Sequence, residues 1–386
     1  MNIEIIASSK EGYIAEKQAF DNFSGKAAGV CYMKSNFNDL VNEAPEKTQR
    51  RIVQTKEGGH HSVYDHDYIT LYFEGIPKML AMILNNEHMY TTSEKSGRYT
   101  KLVVTEKEEE IFNKWFEIFK SKITSLYQKD YPNFFTDSRI EKLAFENARY
   151  TTSVFSRACM IYTTSYRQLN ILIALIDDYI KDSPTNAFEE RLHEELQDFV
   201  DKLKALPYFD EMLSRNEKYR HLSLFAKGEV EEYYGDVFCA KFKATFSSLA
   251  HLHRHRTLNF AIKVLEDEYY VPEMIKEDEA LVAEWIADLK NLNNFPQAIL
   301  LEVQEMGTFD NFILKLKERK CSAVLLETNM VVNEVLKKYS DALDKKGHAR
   351  AEELKKYTKG SRCTFPDYKC PKPCAFLLGI NETRIV

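Results

Sequence analysis

The chain has 386 residues, 44% of them hydrophobic and 12% aromatic, which is enough for about two domains with sizeable cores. Its formal net charge of -6 excludes a general nucleic-acid binder, which needs a basic excess, but leaves room for a local cationic pocket. No apolar run reaches the roughly 18 residues that a spanning helix needs, and Met1 is not followed by a basic and then an apolar leader region, so no membrane segment is expected and the cytoplasm is the expected compartment.

Residues 1–35 alternate loosely and predict strands with a short helix. Residues 67–76 alternate polar and apolar side chains, as a half-buried strand does. Pro77 suits a first helical turn, so an apolar helix is expected from there towards Met89. Residues 106–128 predict a long amphipathic helix with Ile111, Trp115, Ile118, Phe119 and Ile123 on one face. Residues 166–179 predict an apolar helix, and residues 187–206 a charged amphipathic helix that closes the first half. The polar stretch 207–235 reads as a linker. Beyond it the order repeats: a strand over 239–246, a helix over 251–262, an acidic helix over 277–292 and an apolar helix over 309–316. The expected organisation is a domain over 1–206, a linker over 207–235 and a second domain over 236–386.

Two motif fragments sit in different halves. The first half carries Glu94, Ser96, Arg98 and Tyr99, with Asn86-Glu87-His88 upstream; the second carries Arg254-His255-Arg256, with Val264-Leu265-Glu266-Asp267 downstream. The segment from Gly59 to His66 holds His60, Ser62 and Asp65, and Asn147-Ala148-Arg149 follows later. Arg319 is followed eight residues on by Glu327. Arginine stays charged and presents a planar fork, which matches phosphate and the edge of a pyrimidine with paired hydrogen bonds.

These fragments resemble the flavin-dependent thymidylate synthase (ThyX) family, in which Arg-His-Arg, seven residues and Ser-x-Arg-Tyr form one motif. The chain looks like a diverged tandem fusion of two such domains, each lacking what the other keeps. The resemblance implies an α+β fold with two lobes, each a small antiparallel sheet packed with long helices. It implies substrate contacts from Glu94, Ser96, Arg98, Arg149, Arg254 and Arg319, with Arg319 as the catalytic arginine that polarises the uracil. It implies flavin contacts from His60, Ser62, Asp65, Arg167, Arg254, His255 and Arg256. Ile176 stands at the uracil-arginine place in the first half, and Thr308, Asp310 and Ala323 replace family residues in the second.

The implied reaction is FAD-dependent reductive methylation of dUMP to dTMP, or a related 5-substitution. Methylenetetrahydrofolate and NAD(P)H would be co-substrates, and a homodimer would mimic a tetramer of single domains. The alternatives are a dUMP-binding protein without redox function and a structural partner of a genuine synthase. Near the C-terminus, Cys363, Cys370 and Cys374 cluster, and Cys321 stands two residues after Arg319. Tails of this kind occur in some relatives, so the four are read either as a closed tetrahedral zinc site or as reduced thiols packed near one another.

Overall fold

The computed structural model describes residues 1–9, 16–34, 36–95, 97, 105–215, 220–228, 230–371 and 385–386. In chain order the elements are β1 (Asn2–Ser8), α1 (Lys17–Tyr32), α2 (Phe37–Val41), α3 (Pro45–Glu57), β2 (Tyr68–Pro77), α4 (Lys78–Leu84), β3 (Tyr90–Glu94), α5 (Glu106–Ile123), α6 (Asp137–Ala148), β4 (Arg157–Ser165), α7 (Tyr166–Tyr179) and α8 (Ala187–Lys204). Then follow β5 (Tyr233–Tyr234), β6 (Val237–Thr245), α9 (Phe246–Leu252), β7 (Asn259–Tyr269), α10 (Glu279–Leu292), β8 (Ile299–Thr308), α11 (Phe309–Arg319), α12 (Leu326–Lys346) and α13 (Ala351–Lys355). The fold is α+β, with two four-stranded sheets and long helices.

Two compact units result, and they do not follow chain order. The first combines residues 1–95 with 158–222; the second combines 96–157 with 223–386. Each holds one sheet. The strand order is β1-β2-β4-β3 in the first and β5-β6-β8-β7 in the second, so both place their first, second, fourth and third strands side by side.

In the first unit β2 buries Ile69, Leu71 and Phe73, the face that period-two alternation assigns to the core. Phe73 meets Phe199 of α8 edge-on, with ring centroids 5.5 Å apart. Pro77 caps α4, which ends at Leu84, short of Met89, because the chain turns at Asn85 and re-enters the sheet at Tyr90. Tyr208 and Leu213 are fully buried and Asp210 nearly so, so the stretch after α8 carries core side chains.

In the second unit α5 begins with a capping box between Thr105 and Glu108. Its apolar stripe buries Trp115, Phe119 and Ile123 in one cluster with Ile140 and Ala144 of α6 and Trp285 and Leu289 of α10. Trp115 and Trp285 meet edge-on at 4.8 Å, a geometry favoured by the ring quadrupoles. The sheet packs against α11 and α12 through Phe238, Phe312 and Tyr339.

The helix expected over 251–262 is not present. α9 ends at Leu252, a 3-10 turn covers His253–His255, and Arg256 takes a left-handed backbone with φ 54° that stops the helix. Residues from Asn259 instead form β7, which pairs antiparallel with β8. Phe260, Ile262 and Val264 share one face of the pleat, and pairing with β8 outweighs any helical pattern there.

Candidate functional site

Short polar caps build the site. β4, β6 and β8 each end in a hydroxyl residue that caps the next helix: Ser165 accepts from the Gln168 amide at 2.9 Å, Thr245 from Ser248 at 3.1 Å and Thr308 from Asn311 at 3.2 Å. Each strand therefore delivers its following helix at a fixed angle.

In the second unit, α9 is the common post for two of the expected arginines. Arg149 lies at the end of α6, is 7% exposed, and donates from Nη2 to Ser247 Oγ. Arg319, the last residue of α11, is also 7% exposed and donates from Nε at 3.1 Å and Nη2 at 2.7 Å to the His251 carbonyl. Ser247 and His251 are four residues apart on one helix, hence one turn apart on the same face. Arg254 stands in the exposed turn just after α9. Cations near the last turn of a helix are favoured by its carbonyl ends.

Behind these arginines lies a buried polar cluster. Glu327, in the first turn of α12, accepts from Tyr150 OH, the Thr245 amide and Thr245 Oγ1, each at 2.7 Å. Burial pushes the Glu327 carboxyl above its ordinary range, opposed by the donors on Tyr150 and Thr245 and by the charge of Arg149. Ser248 Oγ pairs with Thr328 Oγ1 at 2.9 Å. Ser247, Tyr150 and Thr245 were not read from the sequence as site residues. The signal was the Ser-Ser pair inside an apolar helix, since buried hydroxyls need partners.

In the first unit, His60 and Ser62 are exposed at the 3-10 turn His61–Asp65. Asp65 accepts from Ser165 Oγ at 2.7 Å and from Arg167 Nη1 at 2.6 Å. A cavity of about 470 Å³ opens beside this pair, lined also by Gln168, Ile171, Leu175, His88 and Arg220. Arg220 bonds the fully buried Glu87 at 2.6 Å. Glu94 is taken up by Lys78, with Asn85 Nδ2 at 3.4 Å.

Ser96, Arg98 and Cys374 lie outside the described residues, as does the His255 side chain. Arg256 is exposed on its left-handed turn.

The zinc expectation finds no support among the described residues. Among the described residues no three Cys, His, Asp or Glu side chains converge as a metal site, so Cys321, Cys363 and Cys370 do not form a ligand set. The segment beside Arg319 is braced by other means. The Arg362 amide donates to the Lys320 carbonyl at 2.6 Å, Arg362 Nη1 to Lys317 O at 2.9 Å, and Lys320 Nζ to Gly360 O at 2.8 Å. Phe365 is buried against Tyr357. Backbone carbonyls at the end of α11 are orphan acceptors, and the tail satisfies them.

No helix among the described residues is long and apolar enough to cross a membrane. No curated protein matches the chain. Among solved structures, a thymidylate synthase ThyX from Helicobacter pylori with FAD and dUMP is similar at 17% identity, over 56% of this chain and 100% of that one, with a TM-score of 0.34. A UMP/dUMP methylase PolB from Streptomyces cacaoi, bound with 5-Br dUMP, is similar at 17% identity over 52% of this chain and 90% of that one, with a TM-score of 0.29. The model of the family described as thymidylate synthase complementing protein matches residues 14–199. That match takes in a little under half of the chain, and through residues 14–199 the chain is similar to the thymidylate synthase complementing protein family.

Proposed function

We propose that the chain catalyses flavin-dependent reductive methylation of dUMP, or a closely related substitution at C5 of a deoxyuridylate. The nucleotide would be held by Ser96, Arg98, Arg149, Arg254 and Arg319, and Arg319 would polarise the uracil. The observation that carries this reading is the shared post. Arg149 and Arg319, far apart in sequence, both bond to α9 within one turn of each other, and Arg254 follows that helix directly. Buried guanidinium groups gathered in this way are costly unless an anion or well-placed acceptors compensate them. The family match over residues 14–199 gives the reading its chemistry.

The first-unit cavity would take part of a flavin. Ile171 and Leu175 offer an apolar wall, while Arg167, Gln168 and Ser165 offer donors at its edge. A bound flavin supplies the reducing equivalents; the side chains orient and exclude water. Methylenetetrahydrofolate as carbon donor, NAD(P)H as reductant and a homodimeric assembly belong to the same proposal.

We further read 1–206 and 236–386 as descendants of one ancestral domain, joined by 207–235. The common strand order of the two sheets supports this, as does the match of Ile176 to Arg319, each ten residues beyond the start of its helix.

A second reading, nucleotide binding without redox chemistry, is favoured by one observation: Arg167 and Asp65 are already bonded to each other. Titration of the purified protein with FAD, followed by visible absorbance, and with dUMP, followed by calorimetry, separates the two. Uptake of both ligands supports the enzyme. Binding of dUMP alone supports the second reading, and binding of neither overturns both.

A further inference from the structure

The Arg149–Ser247 bond is held at both ends by one buried carboxylate. Glu327 Oε2 accepts from Tyr150 OH and from Thr245 Oγ1, and Oε1 accepts from the Thr245 amide. Tyr150 is the residue after Arg149. Thr245 caps α9, and Ser247 lies two residues further on. So one donor to Glu327 is chain neighbour to the guanidinium, and the other two fix the helix that carries the hydroxyl it meets. Tyr150 is held on its other side by the Tyr270 ring, with centroids 4.9 Å apart.

We propose that Glu327 is a positioning residue that sets the aim of the Arg149 guanidinium through Tyr150 on one side and the Thr245 cap on the other. The identity of the ligand that Arg149 then meets rests on the function proposed above; the positioning itself does not.

The chemistry explains why an acid stands there. Two hydroxyls and one amide all donate to the side chain, and an ionised carboxylate is the group that accepts three bonds while donating none. A glutamine in its place would keep its oxygen on the Thr245 amide and turn its NH2 towards the two hydroxyls, which must then accept instead of donate, and it would remove the negative charge. Arg149 also lies near enough for its charge to act on the carboxyl. A purely structural acid would lower stability when replaced but would leave Arg149 alone.

The test uses the full chain. Nitrogen–proton spectra of the arginine Nε–H groups are recorded for the wild type and for Glu327→Gln, with the Arg149 signal assigned by Arg149→Lys. In Glu327→Gln the Arg149 signal should shift and broaden while that of Arg319, bonded to His251, stays in place. Ser247→Ala should disturb the same signal. Affinity for dUMP should fall roughly tenfold, the scale at which contacting residues couple. If Glu327→Gln does not fold, Tyr150→Phe removes one donor, keeps the carboxylate and carries the same expectation. An unchanged Arg149 signal in a folded variant overturns the proposal. A signal that moves in a protein whose wild type ignores dUMP upholds the positioning and refutes the nucleotide reading.

Discussion

Asp210→Ala in the first unit is the sharpest probe of how this fold is held. Asp210 Oδ2 accepts from Lys17 Nζ at 2.6 Å, Lys56 Nζ at 2.7 Å and Tyr166 OH at 3.2 Å, and Oδ1 accepts from the amides of Met212 and Leu213. The variant strands Lys56, whose side chain is 6% exposed, with Asp21 at 2.8 Å as its remaining carboxylate. Lys17 is 30% exposed, also reaches Asp21, and can turn to water. Removing one partner of a buried pair costs ~3–5 kcal/mol, and the surviving Asp21 contact sets the expectation at the lower end, about 3 kcal/mol. Equilibrium urea unfolding at neutral pH measures it. A loss below about 1 kcal/mol, the scale of an exposed pair, would refute the reasoning.

The pH dependence has a definite sign. Burial acts to raise the Asp210 pKa, but the hydrogen bonds and charges of Lys17 and Lys56 prevail and hold it well below the usual carboxylate range. The folded value is lower than the unfolded one, so the stabilisation is complete above the unfolded pKa of about 3.9 and is lost as pH falls towards the folded value. The stability gap between wild type and Asp210→Asn should therefore be widest near neutrality and shrink below about pH 4.

Other expectations are as direct. Trp285→Ala should cost ~3–5 kcal/mol in thermal or urea unfolding, because Trp285 is fully buried against Trp115 and Phe119. Arg319→Lys should weaken dUMP binding roughly tenfold by calorimetry, since lysine cannot place two donors on the His251 carbonyl and still present a planar edge. Arg167→Ala should weaken FAD uptake in an absorbance titration; unaltered FAD affinity would remove the first-unit cavity from the flavin reading. Arg362→Ala should loosen the tail, seen as faster amide exchange at Lys320, which a zinc-braced tail would resist.

Much of this was legible in the chain because periodicity reports burial. β2, α7 and α10 lie close to where alternation and the apolar stripes put them. β7 was misread because residues 251–262 mix a helix end with a strand start, and the break at Arg256 comes from a backbone conformation that side-chain pattern does not encode. Arginines 149 and 319 stood out because the motifs around them resemble those of the ThyX family. Their partners Ser247 and Tyr150 did not, since a buried serine or tyrosine resembles any other until its neighbours are known. The cysteines of the tail suggested a metal because sequence spacing says nothing of whether thiols converge. The stripe on α5 announced that partners exist without saying which, and besides the neighbouring α6 the distant α10 is one of them.

The last point bears on how the protein is made. A ribosome works from one end, but the hairpin of α5 and α6 belongs with residues that are translated much later. Until α10 has emerged, Trp115 and Phe119 have no Trp285 to cover them. The first unit must meanwhile join 1–95 to 158–222 across the intervening residues 96–157, which belong to the second unit. A nascent chain cut off after α8 would thus be an adhesive fragment rather than a free-standing half, and the two ends of this polypeptide are obliged to mature together.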